Sequence, residues 1–268
     1  MNVETPVAVP VYSNSAPDVV PYQVGLSAHN ITFVIDESGS MGIECRDGKK
    51  GELRYKRIEL AIHCIKLAVH CLDENTSIEI IGFESNARVI LPMTVMNAGG
   101  KHVALETVRN LQERGGTYMC NGIELALREL EMYRNEAERE PRQYDIVFLT
   151  DGEDSRYNGI NLIRNFLAIS EKYAVKPHIS FVGFSDAVRS QDLYDLALMY
   201  NSMFYYIADA SMIVTVFMNV LVNIMHPMVL EQFRERANEI ADLIISSYTA
   251  GQKTARFLQV AKMLASSH

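Results

Sequence analysis

Short apolar stretches recur along the chain and alternate with segments of helical periodicity. The stretches are rich in β-branched and aromatic residues, which favours β-strands. The six predicted strands cover residues 31–36, 77–83, 87–93, 144–150, 178–184 and 203–208. Strands that alternate with helices predict an α/β fold around a mostly parallel sheet. The second and third strands lie close enough in sequence to form a hairpin, so we expect one antiparallel strand at the edge of the sheet.

The segments between the strands carry apolar residues at helical spacing. In one of them Ile123, Ala126, Leu127 and Leu130 form an apolar stripe, and Glu and Arg residues occupy positions between them. The segment 55–72 is apolar almost all the way round. A helix with this pattern lies buried against a sheet.

Two pairs of potential zinc ligands lie in the segment 55–72, namely His63 with Cys64 and His70 with Cys71. The two histidines are seven residues apart, which on a helix is two turns or about 10.5 Å. Zinc binds its ligands at about 2 Å, so these side chains are too far apart to share one ion. We therefore expect no zinc site here.

The two ends of the chain differ from the middle. Four of the eight prolines fall within the first 21 residues, which excludes a helix and predicts an extended N-terminal tail over residues 1–28. Residues 29–226 form the predicted α/β domain. After Pro227 two apolar stripes separated by Gly251 predict a helical extension over residues 227–268, through which the chain could form an oligomer.

Composition narrows the classes of function. The net charge of −8 and the isoelectric point near 5.4 argue against a nucleic-acid partner, because phosphates would be repelled. No apolar run reaches transmembrane length, and no basic segment precedes an apolar core at the N-terminus. Four cysteines show no close pairing pattern. We therefore predict a soluble cytoplasmic protein with reduced thiols.

Candidate ligands for a metal ion come from three separate segments. Asp36 ends the first predicted strand and is followed by Ser38 and Ser40, Asp151 ends another strand, and Thr117 follows two glycines just before a helix. Ligands of α/β sheets collect at the carboxyl ends of parallel strands, where these segments could converge. All five side chains are hard oxygen donors. They point to Mg²⁺, with Ca²⁺ or Mn²⁺ as alternatives, rather than to zinc or copper.

Each of these segments also has a simpler interpretation. Asp36 and the serines could form an ordinary turn that caps a helix, and Thr117 could be a plain helix N-cap. Glu153 and Asp154 could extend an acidic rim or support a second cation, but solvated acids of a loop are the favoured interpretation. The conjunction of all three segments favours the metal site.

The motifs "DESGSMG", "GGTYM" and "TDGED", in this order, resemble the metal-ion-dependent adhesion site of von Willebrand factor A domains. The resemblance covers residues 29–226 and implies a doubly wound, Rossmann-like, six-stranded sheet with helices on both faces. It implies that Ser38 and Ser40 bind Mg²⁺ directly, that Thr117 does so in the ligand-competent arrangement, and that Asp36 and Asp151 act largely through water. The segment 43–54 departs from the family pattern, because the helix normally begins soon after the second serine.

The resemblance implies a binding module that engages an Asp or Glu of a protein partner through the metal ion. An enzyme, namely a Mg²⁺-dependent phosphohydrolase, is the first alternative. It lacks support because no second acid stands two residues after Asp36 and no phosphate-binding glycine loop occurs. The second alternative is a structural subunit in which the ion only orders the loops. We expect a binding module rather than an enzyme.

Overall fold

The six apolar stretches form one mixed sheet in the computed structural model, which describes residues 29–45, 55–136, 142–152, 154–184, 191–200, 202–207 and 212–225. The strands are β1 (His29–Asp36), β2 (Thr76–Phe83), β3 (Ala87–Val95), β4 (Gln143–Thr150), β5 (His178–Gly183) and β6 (Met203–Tyr206). Their order across the sheet is β3-β2-β1-β4-β5-β6. The doubly wound α/β fold predicted from the sequence is therefore confirmed.

The direction of each strand follows from the length of its connection. β1 pairs in parallel with β2 and β4, and β5 pairs in parallel with β4 and β6. β2 and β3 pair antiparallel, because only residues 84–86 separate them and a parallel crossover needs a dozen or more. Every residue of β2 is buried, whereas most residues of β3 are partly or fully exposed. The expected antiparallel edge strand is thus confirmed.

Helices cover both faces of the sheet. They are α1 (Arg57–Cys71), α2 (Ala98–Val108), α3 (Met119–Glu136), α4 (Gly159–Glu171), α5 (Gln191–Met199) and α6 (Ile213–Met225). Residues of α1, α2 and α6 share one buried apolar cluster, and residues of α3, α4 and α5 share another on the opposite face. The predicted stripe of α3 lies in the second cluster with all four members buried. Helices on both faces are thus confirmed.

Helix α1 buries most of its circumference, as its pattern predicts. His63 is partly buried, and its Nδ1 lies 2.5 Å from the backbone oxygen of Glu59, one turn earlier in the same helix. No group of three or more His, Cys, Asp or Glu side chains in the described ranges is placed to hold a metal ion. The absence of a zinc site in this helix stays a prediction from the spacing.

Helix α6 is the apolar run that precedes Pro227, and it packs against the sheet. Phe217 is fully buried, with its ring 6.3 Å from that of Phe33 in β1. None of the helices that the structure describes is long and apolar enough to span a membrane. The predicted N-terminal tail, the helical extension over 227–268 and its suggested role in oligomers lie outside the described residues, so these domain boundaries stay predictions.

Of the segment 43–54 the structure describes only residues 43–45, and it resumes at Tyr55. Glu44 and Lys56 form an isolated antiparallel bridge, and Cys45 N donates to Tyr55 O at 2.8 Å. These contacts hold the start of α1 beside the turn that follows β1. The residues on either side of 46–54 are therefore neighbours in space.

Candidate metal site

The strand order places a crevice between β1 and β4. From β1 the chain crosses to β2 and β3 on one side of the sheet, and from β4 it crosses to β5 and β6 on the other. In doubly wound sheets, ligands bind at the carboxyl ends of the strands where the winding changes direction. Asp36 ends β1 and Asp151 directly follows β4. The topology therefore brings the two predicted carboxylates to the two sides of this crevice.

Asp36 is completely buried and both of its oxygens accept hydrogen bonds. Oδ1 accepts from Ser38 N at 2.8 Å, and Oδ2 accepts from Thr150 Oγ1 at 2.6 Å. Burial, and secondly the negative charge of Asp151, raise the pKa of Asp36 to about 7, although the bonds from Ser38 and Thr150 oppose the change. Two carboxylates this close in a buried crevice are stabilised by a positive charge between or beside them.

Ser38 and Ser40 bring their hydroxyls together. A short 3₁₀ turn, Gly39–Gly42, follows β1, and the two Oγ atoms form a hydrogen bond at 3.0 Å. Ligands that are neighbours on an octahedron around Mg²⁺, each about 2.1 Å from the ion, are about 3.0 Å apart. The spacing of the two hydroxyls therefore matches that of two adjacent ligands of one Mg²⁺.

Thr117 lies in the segment that approaches the serine turn from the side of α3. Gly39 N donates to Gly115 O at 3.1 Å, which ties the two segments together, and Gly115 adopts a φ of 67° that favours glycine. Ser155 belongs to the segment after Asp151. Its N–H donates to Thr117 O at 2.8 Å, and its Oγ accepts from Thr117 N at 3.1 Å. All three predicted segments are thus joined by hydrogen bonds.

Two residues that sequence reasoning missed make direct contacts with the predicted ligands. Thr150, the last residue of β4, donates to Asp36 and accepts from Gly152 N at 3.1 Å through the same hydroxyl. Arg57, the first residue of α1, donates to Asp151 Oδ2 at 2.7 Å and to Ser40 O at 3.4 Å. The only signal for Thr150 was its place beside Asp151. Nothing in the local sequence marks Arg57.

Glu37 was also missed, although it stands inside the first motif. It is 1% exposed and pairs with Arg88 of β3, at 2.9 Å to Oε1 and 2.6 Å to Oε2. Arg114 lies 3.7 Å from Oε2 and donates its backbone N–H to Glu37 O at 2.5 Å. Because Arg114 immediately precedes the Gly115 segment, Glu37 connects the edge hairpin to the segments around the crevice.

Asp154 corrects the expectation of solvated loop acids. Its Oδ2 accepts from Met119 N, at the start of α3, at 2.7 Å, and its Oδ1 accepts from the N–H groups of Arg156 and Tyr157. The residue therefore caps a helix and orders a turn. Glu153, the other acid named with it, lies outside the described residues.

Comparison with known families shows what this part of the chain is similar to. Residues 31–153, a range that contains all five predicted ligands, match the family model of the von Willebrand factor type A domain. This part of the chain is therefore similar to a von Willebrand factor type A domain. Comparison of the sequence with curated proteins gave no match.

Solved structures agree with the A-domain fold. The von Willebrand factor type A protein from Catenulispora acidiphila aligns with a TM-score of 0.59 at 19% identity, over 74% of this chain and 43% of that one. The PilB minor pilin from Streptococcus sanguinis gives 0.57 at 20% identity, over 76% and 63%. The manganese-loaded TRAP protein from Plasmodium vivax gives 0.50 at 14% identity, over 76% and 74%. The chain thus spans less than two thirds of the first two, and identities this low show the fold alone.

The predicted donors are of the type that suits a hard divalent cation. They are two carboxylates and three hydroxyls. Among the described residues no third acid, histidine or thiol joins the two carboxylates to make a group of three. The 3.0 Å hydroxyl spacing and the two buried carboxylates are the observations of this structure that meet the demands of Mg²⁺. The assignment of the metal ligands stays a prediction from the sequence, and the geometry described above is compatible with it. The predicted ligands are Asp36, Ser38, Ser40, Thr117 and Asp151.

Proposed function

We propose that the A domain is a protein-binding module in which Ser38, Ser40 and Thr117 hold one Mg²⁺ directly, with Asp36 and Asp151 behind them. The bound ion would supply a positive charge that an Asp or Glu of a partner completes. The observation that carries the proposal is the 3.0 Å separation of the two serine hydroxyls beside two fully buried carboxylates.

The hydrogen bonds of Asp36 support an indirect role for this side chain. One oxygen accepts from Ser38 N and the other from Thr150 Oγ1, so each has a lone pair already engaged. Asp36 therefore orients the serine turn and contributes negative charge from behind it. Neutral hydroxyls at the front leave a cation with much of its charge uncompensated, which favours an incoming carboxylate.

The surroundings of the crevice are suited to contact with another protein. Ile43 follows the serine turn and is half exposed, so an apolar side chain stands beside the polar site. An apolar contact next to a charged anchor is a common arrangement at protein interfaces. The manganese described for the Plasmodium TRAP structure, which shares this fold, adds support for a divalent cation.

The first experiment tests metal binding by thermal unfolding with and without Mg²⁺. Wild-type protein should gain about 2.7 kcal/mol of stability when free Mg²⁺ is about 100-fold above its dissociation constant. Asp151→Ala and Ser40→Ala should lose this gain. Asp73→Asn, in the turn between α1 and β2 away from the crevice, should keep it. Equal gains in wild type and Asp151→Ala would remove the site from consideration.

The second experiment tests recognition. Proteins retained by wild type in Mg²⁺ should be lost both in EDTA and with Thr117→Ala, because each change removes part of the charged anchor. Truncating one partner of a desolvated charge pair typically costs about 2 to 5 kcal/mol. A specific partner that binds equally in Mg²⁺, in EDTA and with Thr117→Ala would contradict the proposal. The absence of enzymatic activity and the cytoplasmic location stay predictions from the sequence.

A further inference from the structure

Arg57 brings a fixed positive charge into the crevice. Its side chain is 12% exposed, and its guanidinium donates to Asp151 Oδ2 at 2.7 Å and to the backbone oxygen of Ser40 at 3.4 Å. The Nε of Arg57 is buried without a hydrogen-bond partner in the described part of the chain. A guanidinium placed so close to two of the predicted ligands, at the cost of an unsatisfied donor, needs a reason in the electrostatics of the site.

The backbone holds Arg57 in this position. Its N–H donates to Ile43 O at 3.1 Å, and Ile43 N donates to Ser40 O at 3.0 Å. The start of α1 is therefore tied to the same turn that presents the serine hydroxyls. With the backbone held in this way, rotation about the side-chain bonds of Arg57 can take the guanidinium away from Asp151.

The charges of the crevice explain what the guanidinium does there. Asp36 and Asp151 are both 0% exposed, and unpaired carboxylates in such a place are strongly destabilising. Arg57 is a cation in direct contact with Asp151, through a bond of the short, charge-assisted kind. A divalent ion that approaches the same carboxylate meets an occupied oxygen and a like charge a few ångströms away.

We propose that Arg57 is the resident counter-ion of the metal site, which stabilises the metal-free domain and competes with the divalent ion for Asp151. The inference rests on the proposed function, since it concerns the same site. It makes Arg57 a positioning residue that sets the metal affinity. The domain can then fold before an ion arrives, and ion binding requires the guanidinium to release or share Asp151.

The test is isothermal titration calorimetry of Mg²⁺, and separately of Mn²⁺, into the full chain after removal of metal with EDTA. Arg57→Met keeps the apolar stem of the side chain and removes its charge, and it should bind the ions about tenfold or more tightly than wild type. Arg57→Lys keeps the charge and should stay within a few-fold of wild type. Lys56→Met removes the neighbouring cation, which is 45% exposed and pairs with Glu113, and should leave the affinity unchanged.

A second readout is the melting temperature without metal. Arg57→Met should melt below wild type in EDTA, because Asp151 loses its counter-ion, and should recover more than wild type does when Mg²⁺ is added. If Arg57→Met is too unstable to purify, Arg57→Gln replaces it, since the amide retains a donor for Asp151 without the charge.

The outcomes separate this inference from the proposed function. If wild type binds the metal ion and the affinity is unchanged or weaker in Arg57→Met or Arg57→Gln, the counter-ion role is overturned. The proposed metal site is then unaffected. Tighter binding in both Arg57→Met and Lys56→Met to the same degree reduces the effect to general surface charge and also overturns it. Absence of Mg²⁺ and Mn²⁺ binding in wild type and every Arg57 variant overturns the proposed function itself.

Discussion

The buried carboxyl of Glu79 gives the domain a measurable pH dependence that is independent of the metal site. Glu79 lies in β2, is 3% exposed, and accepts a hydrogen bond from Thr32 Oγ1 of β1 at 3.0 Å. Burial raises the pKa of Glu79 to about 7, against the opposing effect of the Thr32 bond, and the negative charge of Glu129 raises it slightly further. Glu79→Gln keeps the shape and the acceptor and removes the titration.

The sign of the effect follows from proton binding. An unfolded chain has Glu79 near its ordinary pKa of about 4.5, so between pH 4.5 and pH 7 the folded state binds more protons than the unfolded state. The free energy of unfolding of the wild type therefore falls as pH rises through this window, and the loss is complete above pH 7. From the two pKa values the loss between pH 5 and pH 8 is about 2 to 3 kcal/mol.

The assay is urea unfolding in EDTA at pH 5, 6, 7 and 8 for wild type, Glu79→Gln and Glu74→Gln. The difference in free energy of unfolding between two variants at one pH removes the contribution of titratable groups that both variants share. The stability of Glu79→Gln relative to wild type should increase from pH 5 to pH 8 by about the 2 to 3 kcal/mol lost by the wild type. Glu74 is exposed in the turn before β2, and its variant should follow the wild type. A Glu79→Gln difference that is constant with pH would refute the reasoning.

Two further substitutions test packing around the sheet. In Gly82→Ala the new Cβ would lie 2.1 Å from Oε2 of the buried Glu37, so urea unfolding should show a loss of about 2 to 3 kcal/mol; unchanged stability would mean that Glu37 can move aside freely. Phe217→Ala should cost about 3 to 5 kcal/mol because its ring is fully buried beside Phe33, while Thr215→Ala on the exposed face of α6 should cost little. Equal small costs in both α6 variants would argue that the helix is not docked as described.

The fold was predictable because burial leaves a direct mark on sequence. Each end of the six strands lies within two residues of the corresponding predicted end. The prediction succeeds because a central parallel strand needs apolar residues on both faces. The antiparallel position of β3 followed from the three residues that separate it from β2. Such features depend on residues that are neighbours in the chain.

The contacts at the crevice were predictable only in part. Asp36, Ser38 and Ser40 lie together because they share one turn, and the ends of neighbouring parallel strands meet by topology. The pairs Arg57 with Asp151 and Arg88 with Glu37 join residues 94 and 51 positions apart. No periodicity records a contact of this kind. Asp154 was assigned wrongly because a helix cap contributed from a distant segment looks, in sequence, like any acid in a polar loop.

The closed base of the segment 43–54 bears on how domains of this kind can diversify. The bridge between Glu44 and Lys56 and the bond from Cys45 to Tyr55 join the residues on either side of 46–54. When the ends of a segment are already held together, each doubling of its length costs only about 0.6 kcal/mol in closure entropy. The length and sequence of residues 46–54 are therefore open to variation at a small cost, while the flanks that carry Arg57 and the serine turn are kept.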